Sequence, residues 1–171
     1  MRLPDPRTEG SKNPGATNVL RIGGKGPALI TLLGDVLKGV IPVLLAKWMG
    51  LDPIGLAGVT FAAFLGHLYP VFFEFSGGKG VATLLGCLLA LFYPIAIAWM
   101  LTWIFIALIF RYVSLASILS SLFAPIYIWY FTHHLIYAFT FLLMGLLVTY
   151  RHRQNISNLI HGKERKIGKK K

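Results

Sequence analysis

Charge is the first thing this chain has little of. Asp, Glu, Lys and Arg make up 13% of its 171 residues, where soluble domains carry roughly 25%. Only six residues are acidic, against seventeen basic. Cysteine is nearly absent too: Cys87 stands alone in an apolar run, which excludes a disulfide framework and a cysteine-based metal site. A soluble domain is also missing, so the net charge of +11 has no basic soluble face on which to build a nucleic-acid surface. Several familiar chemistries lack their residues as well. Gly77-Gly78-Lys79-Gly80 is not a Walker loop, because position 73 is Phe and Lys79 is followed by glycine rather than Ser or Thr. There is no His-x-x-x-x-Asp pair, no evident Ser-His-Asp set, and no histidine pair with a carboxylate to hold zinc. His133 and His134, adjacent in a turn, make poor joint ligands.

What remains is mostly oil. The chain is 56% hydrophobic, with a mean hydropathy of +0.67. This predicts an all-α, polytopic transmembrane helix bundle forming a single membrane domain over 1–171. Residues 28–48 are the first apolar run and 54–73 the second, with a tight turn at Gly50 and Asp52-Pro53 between them. The run 81–110 would make a helix of about 45 Å, longer than a bilayer core of ~30 Å, so two shorter helices joined close to Tyr93-Pro94 are expected. Spans over 113–131 and 135–150 follow, separated by a short turn at His133-His134. Within the first run, Asp35 and Lys38 are spaced to pair on one helix face, either to lock packing or to serve a site.

The basic residues choose the topology. Arg2, Arg7, Lys12, Arg21 and Lys25 cluster at the start, and Arg151, Arg153, Lys163, Arg165, Lys166 and Lys169–Lys171 at the end. Six spans place both clusters, with Lys79 and Arg111, on the side that the positive-inside rule assigns to the cytoplasm, whereas five would split them. The polar stretches 1–27, 74–80 and 151–171 are then expected at one interface. Lys169–Lys171 also suit attraction to lipid headgroups.

Each polar stretch combines small or glycine residues with cations. Gly10-Ser11-Lys12-Asn13-Pro14-Gly15-Ala16-Thr17-Asn18-Val19-Leu20-Arg21 reads as a shaped loop. Gly15 is expected to supply unusual backbone angles, Pro14 fixes its own φ, and successive N–H groups face an anion beside Lys12 and Arg21. Glu74-Phe75-Ser76-Gly77-Gly78-Lys79-Gly80 is a second compact loop. In the tail, His152 and Asn155 share a helical face. Together these stretches suit two phosphate groups beside a lipid-like tail.

Three long segments then resemble the motifs of one family: Gly10 to Asn18, Gly66-His67 through Phe75 to Thr83, and Arg151-His152-Arg153-Gln154-Asn155-Ile156 with Gly162-Lys163-Glu164. In order and spacing they are similar to those of the bacterial PlsY family, the acyl-phosphate:glycerol-3-phosphate acyltransferases. The resemblance implies a multi-pass enzyme of the bacterial inner membrane with its motifs facing the cytoplasm. Its reaction moves an acyl chain from acyl phosphate to the 1-hydroxyl of glycerol 3-phosphate, giving lysophosphatidate and phosphate without a cofactor. Carried over by motif position, Ser11, Asn13, Gly15, Ala16 and Thr17 cradle the acyl phosphate. Arg21 and Lys79 neutralise phosphate charge, with Gly77 and Gly78 in the second loop. His152 and Asn155 orient glycerol 3-phosphate, and Ser117 joins them. Ser11, Lys79 and His152 are the expected catalytic residues; the soluble enzyme that makes acyl phosphate is an expected partner. The family's seven spans include a hydrophobic helix ahead of the first motif, so six are expected here. A transporter or a non-catalytic scaffold are the competing readings, and formation of lysophosphatidate separates them from the enzyme.

Overall fold

The computed structural model describes residues 4–168. Arg2 and Lys169–Lys171 of the basic clusters lie outside the described residues. Every regular element among them is helical, and by internal packing the chain divides into two compact units, Met1–Leu91 and Phe92–Lys171.

The first unit holds α1 (Ala16–Gly23), α2 (Lys25–Trp48), α3 (Pro53–Leu68), a single 3-10 turn at Val71–Phe73, and α4 (Val81–Leu91). The polar start is thus not loop throughout. From Ala16 it becomes a short amphipathic helix that turns its Val19 inward. Gly24, at φ 80° and ψ −171°, separates α1 from α2. Asp52 caps α3 by accepting a hydrogen bond from the Gly55 N–H at 2.8 Å, and Pro53 takes the first helical position, as the turn signal predicts.

Backbone contact joins α2 to α4. A Cβ at Gly39 would lie 2.8 Å from the Cys87 nitrogen, and one at Gly86 would overlap the Val36 carbonyl oxygen. Small residues that let helices approach this closely are how helices pack where lipid removes the hydrophobic incentive. The Thr83 hydroxyl donates to the Asp35 carbonyl at 2.9 Å across the same seam. Lys47 donates to the carbonyl of Ala90 at 3.0 Å, satisfying an acceptor near the end of α4. Val43, Phe64, Leu68, Leu84 and Leu88 fill the interior.

The second unit is α5 (Tyr93–Phe110), α6 (Val113–Thr132), α7 (Leu135–Arg151) and α8 (Arg153–Ile160). The break expected at Tyr93-Pro94 is present: α4 stops at Leu91, and α5 starts at Tyr93 with Pro94 in its first turn. Arg111 and His133, both in left-handed conformation, end α5 and α6. Gly145 of α7 lies against Ser121 of α6, where a Cβ would sit 2.7 Å from the Ser121 carbonyl oxygen. Ser114, Ser117, Ser120 and Ser121 form a buried polar stripe on α6. After α8 the tail runs back to the α5–α6 turn, where the Ile167 N–H donates to the Arg111 carbonyl at 2.7 Å.

Large apolar side chains such as Leu29, Ile30, Trp48, Leu108 and Phe139 point outward rather than into either interior. That pattern suits lipid as the solvent. Among the described residues, four helices are long and apolar enough to cross a membrane: α2, α3 with its 3-10 extension, α5 and α6. A fifth joins them if α7 and α8, bent by 59°, count as one span. A sixth span would need α4, whose eleven residues reach only about 16 Å.

Candidate active site

In the first motif, Asn18 shapes the loop. Its side chain is 1% exposed. It accepts the Ser11 N–H at 2.8 Å and donates to the carbonyls of Pro6 at 2.9 Å and Glu9 at 3.0 Å. One amide thereby ties residues 6–11 to the first turn of α1. Gly10, at φ +64°, packs so closely on Asn18 that no Cβ fits, and Lys12 also takes a positive φ of 55°. The sequence reading put the unusual angles at Gly15. Gly15 has φ −69° and ψ 159°, open to any residue, and is instead the N-cap of α1. No side-chain hydrogen bond caps that helix at Gly15. The N–H groups of an uncapped first turn are the kind that an anion can satisfy. Arg21 lies one turn further along α1. Ahead of the loop, Arg7 clasps Asp5 with its guanidinium, Nη2 to Oδ2 at 2.7 Å, and its hydrogen bonds hold the Asp5 carboxyl below the usual carboxylate range.

In the second motif, Gly77, Gly78 and Gly80 stand where a Cβ would meet its neighbours too closely. Glu74 and Phe75 both take left-handed angles, which reverses the chain after the 3-10 turn. The Gly77 N–H then donates to the Leu68 carbonyl at 3.2 Å. A Cβ at Gly77 would lie 2.5 Å from that same oxygen, and one at Gly78 would run into the His67 ring. Gly80, at φ +87°, turns the chain into α4. Lys79 is thus half-buried on a short segment clamped at both ends.

In the second unit, His152 sits at the bend between α7 and α8 and is 4% exposed. Its Nδ1 faces the Val148 carbonyl at 2.8 Å. Asn155, on the first turn of α8, donates through Nδ2 to Glu164 Oε1 at 2.8 Å. The Ser114 hydroxyl donates to the same oxygen at 2.7 Å. Glu164 therefore ties α8 to α6. Ser117, one turn along α6, is buried and accepts the Trp103 indole N–H at 3.1 Å.

Each unit thus carries part of the expected site. Ser11, Asn13, Gly15, Ala16, Thr17, Arg21, Gly77, Gly78 and Lys79 belong to the first, and Ser117, His152 and Asn155 to the second. Asn18, His67 and Glu164 lie within the motifs read from the sequence, but neither they nor Ser114 were among the expected site residues. The signal for Glu164 was available: with six acidic residues in the whole chain, each needs a partner if it leaves water. Among the described residues no three His, Cys, Asp or Glu side chains gather where a metal could sit.

Apolar helices with outward-facing oil define a membrane-integral protein, and its stapled polar loop and the lysine set among glycines are of a kind that suits phosphate-like anions. Comparison with known proteins narrows the class. A family model described as glycerol-3-phosphate acyltransferase matches residues 1–162. A glycerol-3-phosphate acyltransferase of Methylococcus capsulatus is 52% identical over 171 residues, covering all of this chain and 86% of the relative. That of Vibrio campbellii is 50% identical, covering all of this chain and 83% of its own length. Among solved structures, PlsY, an integral membrane glycerol 3-phosphate acyltransferase in its glycerol 3-phosphate form, superposes with a TM-score of 0.92 at 43% identity. That match covers 96% of this chain and 83% of the other. The lysophosphatidic acid form of the same enzyme gives 0.88 over 92% of this chain and 81% of that one. The chain belongs to the glycerol-3-phosphate acyltransferase family, and it is a multi-pass membrane acyltransferase of phospholipid synthesis.

Proposed function

We propose that this chain transfers an acyl group from acyl phosphate to the 1-hydroxyl of glycerol 3-phosphate, releasing lysophosphatidate and inorganic phosphate. The observation that carries the reading is the match, over 96% of the chain, to an enzyme solved in its glycerol 3-phosphate form.

The physical chemistry agrees with a site that lacks an activated nucleophile. An acyl phosphate carries its own good leaving group, so the protein needs to hold the hydroxyl against the carbonyl carbon and stabilise developing negative charge. The hydroxyl oxygen forms the new ester bond as the bond from the carbonyl carbon to the phosphate oxygen breaks. The hydroxyl proton passes to a phosphate oxygen. In this scheme Ser11, Asn13, Gly15, Ala16 and Thr17 cradle the acyl phosphate at the start of α1, and Arg21 and Lys79 neutralise phosphate charge. Gly77 and Gly78 let the backbone approach it. His152 and Asn155 orient glycerol 3-phosphate, and Ser117 joins them. Proton transfer to the substrate's own phosphate is preferred over His152, because Nδ1 of that residue faces a backbone carbonyl rather than a carboxylate.

The reading includes six spans in the bacterial inner membrane, which requires the short α4 to count as a crossing, with 1–27, 74–80 and 151–171 facing the cytoplasm, where basic residues are retained. A soluble enzyme that makes acyl phosphate would supply the donor from that side.

Purified protein in lipid vesicles, given acyl phosphate and glycerol 3-phosphate, should form lysophosphatidate and phosphate in equal amounts. Phosphate without lysophosphatidate would make it a hydrolase, and neither product would refute the assignment. His152→Ala should raise the KM for glycerol 3-phosphate while chemistry persists. Complete loss of turnover at saturating substrate would make His152 the obligatory base.

A further inference from the structure

His67 closes α3 and is 7% exposed as a side chain, yet the scheme above gives it no work. Its Nδ1 faces Asp35 Oδ1 of α2 at 3.4 Å. The same carboxylate oxygen accepts from Lys38 at 2.9 Å, and Asp35 is itself buried. The expected Asp35–Lys38 pair is therefore a three-membered cluster that reaches α3. On the opposite edge of the imidazole lies Gly78: a Cβ built there would overlap Nε2 and stand 2.8 Å from Cε1. The His67 backbone carbonyl closes on Gly77 in the same way. The Thr83 hydroxyl of α4 donates to the Asp35 backbone carbonyl at 2.9 Å, so the helix that follows the loop is held by the same residue.

We propose that Asp35 and His67 are positioning residues for the second motif. The imidazole, fixed by the buried carboxylate, is the surface against which Gly77 and Gly78 rest, and it thereby sets where Lys79 presents its ammonium group. Gly78 is glycine because the ring occupies the space of a side chain. A buried carboxylate and imidazole are costly to keep in a membrane helix bundle unless they are paired. Here the pairing places Lys79, one of the two cations expected to neutralise phosphate charge.

The role of Lys79 rests on the acyl-transfer reading, while the placement of the loop does not, so the test reads them separately. Hydrogen exchange is measured on the purified full chain in vesicles for wild type, His67→Asn, Gly78→Ala and the double variant His67→Ala/Gly78→Ala, with lysophosphatidate formation measured in parallel. His67→Asn should raise exchange at residues 77–80 at least tenfold, leave the α2 and α3 amides unchanged, and lower kcat/KM for acyl phosphate about tenfold. Gly78→Ala should do the same. The double variant, with room for the new Cβ, should regain at least threefold activity over Gly78→Ala. Unchanged exchange at 77–80, exchange rising equally through α2 and α3, or no regain in the double variant would overturn the proposal. Should His67→Asn not fold, Gly78→Ala decides alone, and global unfolding of both counts against it. A wild type that makes no lysophosphatidate would instead refute the function.

Discussion

Replacing Asn18 by alanine isolates what holds the first motif. The side chain makes three hydrogen bonds of 2.8–3.0 Å from a buried position, one to the Ser11 N–H and two to the carbonyls of Pro6 and Glu9. At about 1 kcal/mol net for each, their loss weakens the stapled loop by about 3 kcal/mol, roughly a hundredfold in the population that presents Ser11 correctly. The staple joins residues seven to twelve apart in sequence, so the damage is local. The melting temperature in detergent should move little, while kcat/KM for acyl phosphate falls tenfold to a hundredfold. Asn18→Asp sharpens the test. It keeps an acceptor for the Ser11 N–H but sets a carboxylate against two carbonyl oxygens, so it should be no better than alanine despite its shape. Steady-state lysophosphatidate formation, with hydrogen exchange at Ser11, measures both. Activity within twofold of wild type in Asn18→Ala, or rescue by aspartate, would refute the idea that one amide organises the loop.

Other outcomes follow from the same structure. Glu164→Ala frees Ser114 and Asn155 together, at a cost of about 2–3 kcal/mol, and should raise the KM for glycerol 3-phosphate. Glu164→Gln keeps an oxygen for both donors and should retain most of the activity. Gly86→Leu drives a side chain into the α2 backbone at Val36. The expected loss of about 2–3 kcal/mol corresponds to a melting temperature lower by roughly 4–12 °C for a chain of this size. Because Arg7 depresses the Asp5 carboxyl, the clasp contributes fully above the ordinary aspartate value of about 4 and is lost as pH falls through the lowered one. An NMR titration of Arg7 side-chain signals should show that release only in acid, and Arg7→Ala should remove it.

The helices and their breaks were legible in the sequence because lipid imposes a simple rule: apolar length for each crossing, with charge, glycine or proline between. Turns at Gly50–Pro53, at Tyr93-Pro94 and at His133-His134 all follow from local chemistry, as does the pairing of Asp35 with Lys38 one turn apart. Motif one was legible as an anion loop, but its conformation was not. Positive φ fell on Gly10 and Lys12 rather than Gly15, because the loop closes on Asn18, and from Ala16 it is a helix.

What composition and order determined by themselves was the solvent, the helical class and the residue types able to hold phosphate. What tertiary structure alone decided was which polar side chains leave water together. Asn18 with the Pro6 and Glu9 carbonyls, Glu164 with Ser114 fifty residues away, and His67 between Asp35 and Gly78 are contacts between separate segments. Hydropathy and helical periodicity act along the chain and carry no information about them. A polar group pays for burial only by finding a partner, and the fold chooses which partner comes within reach.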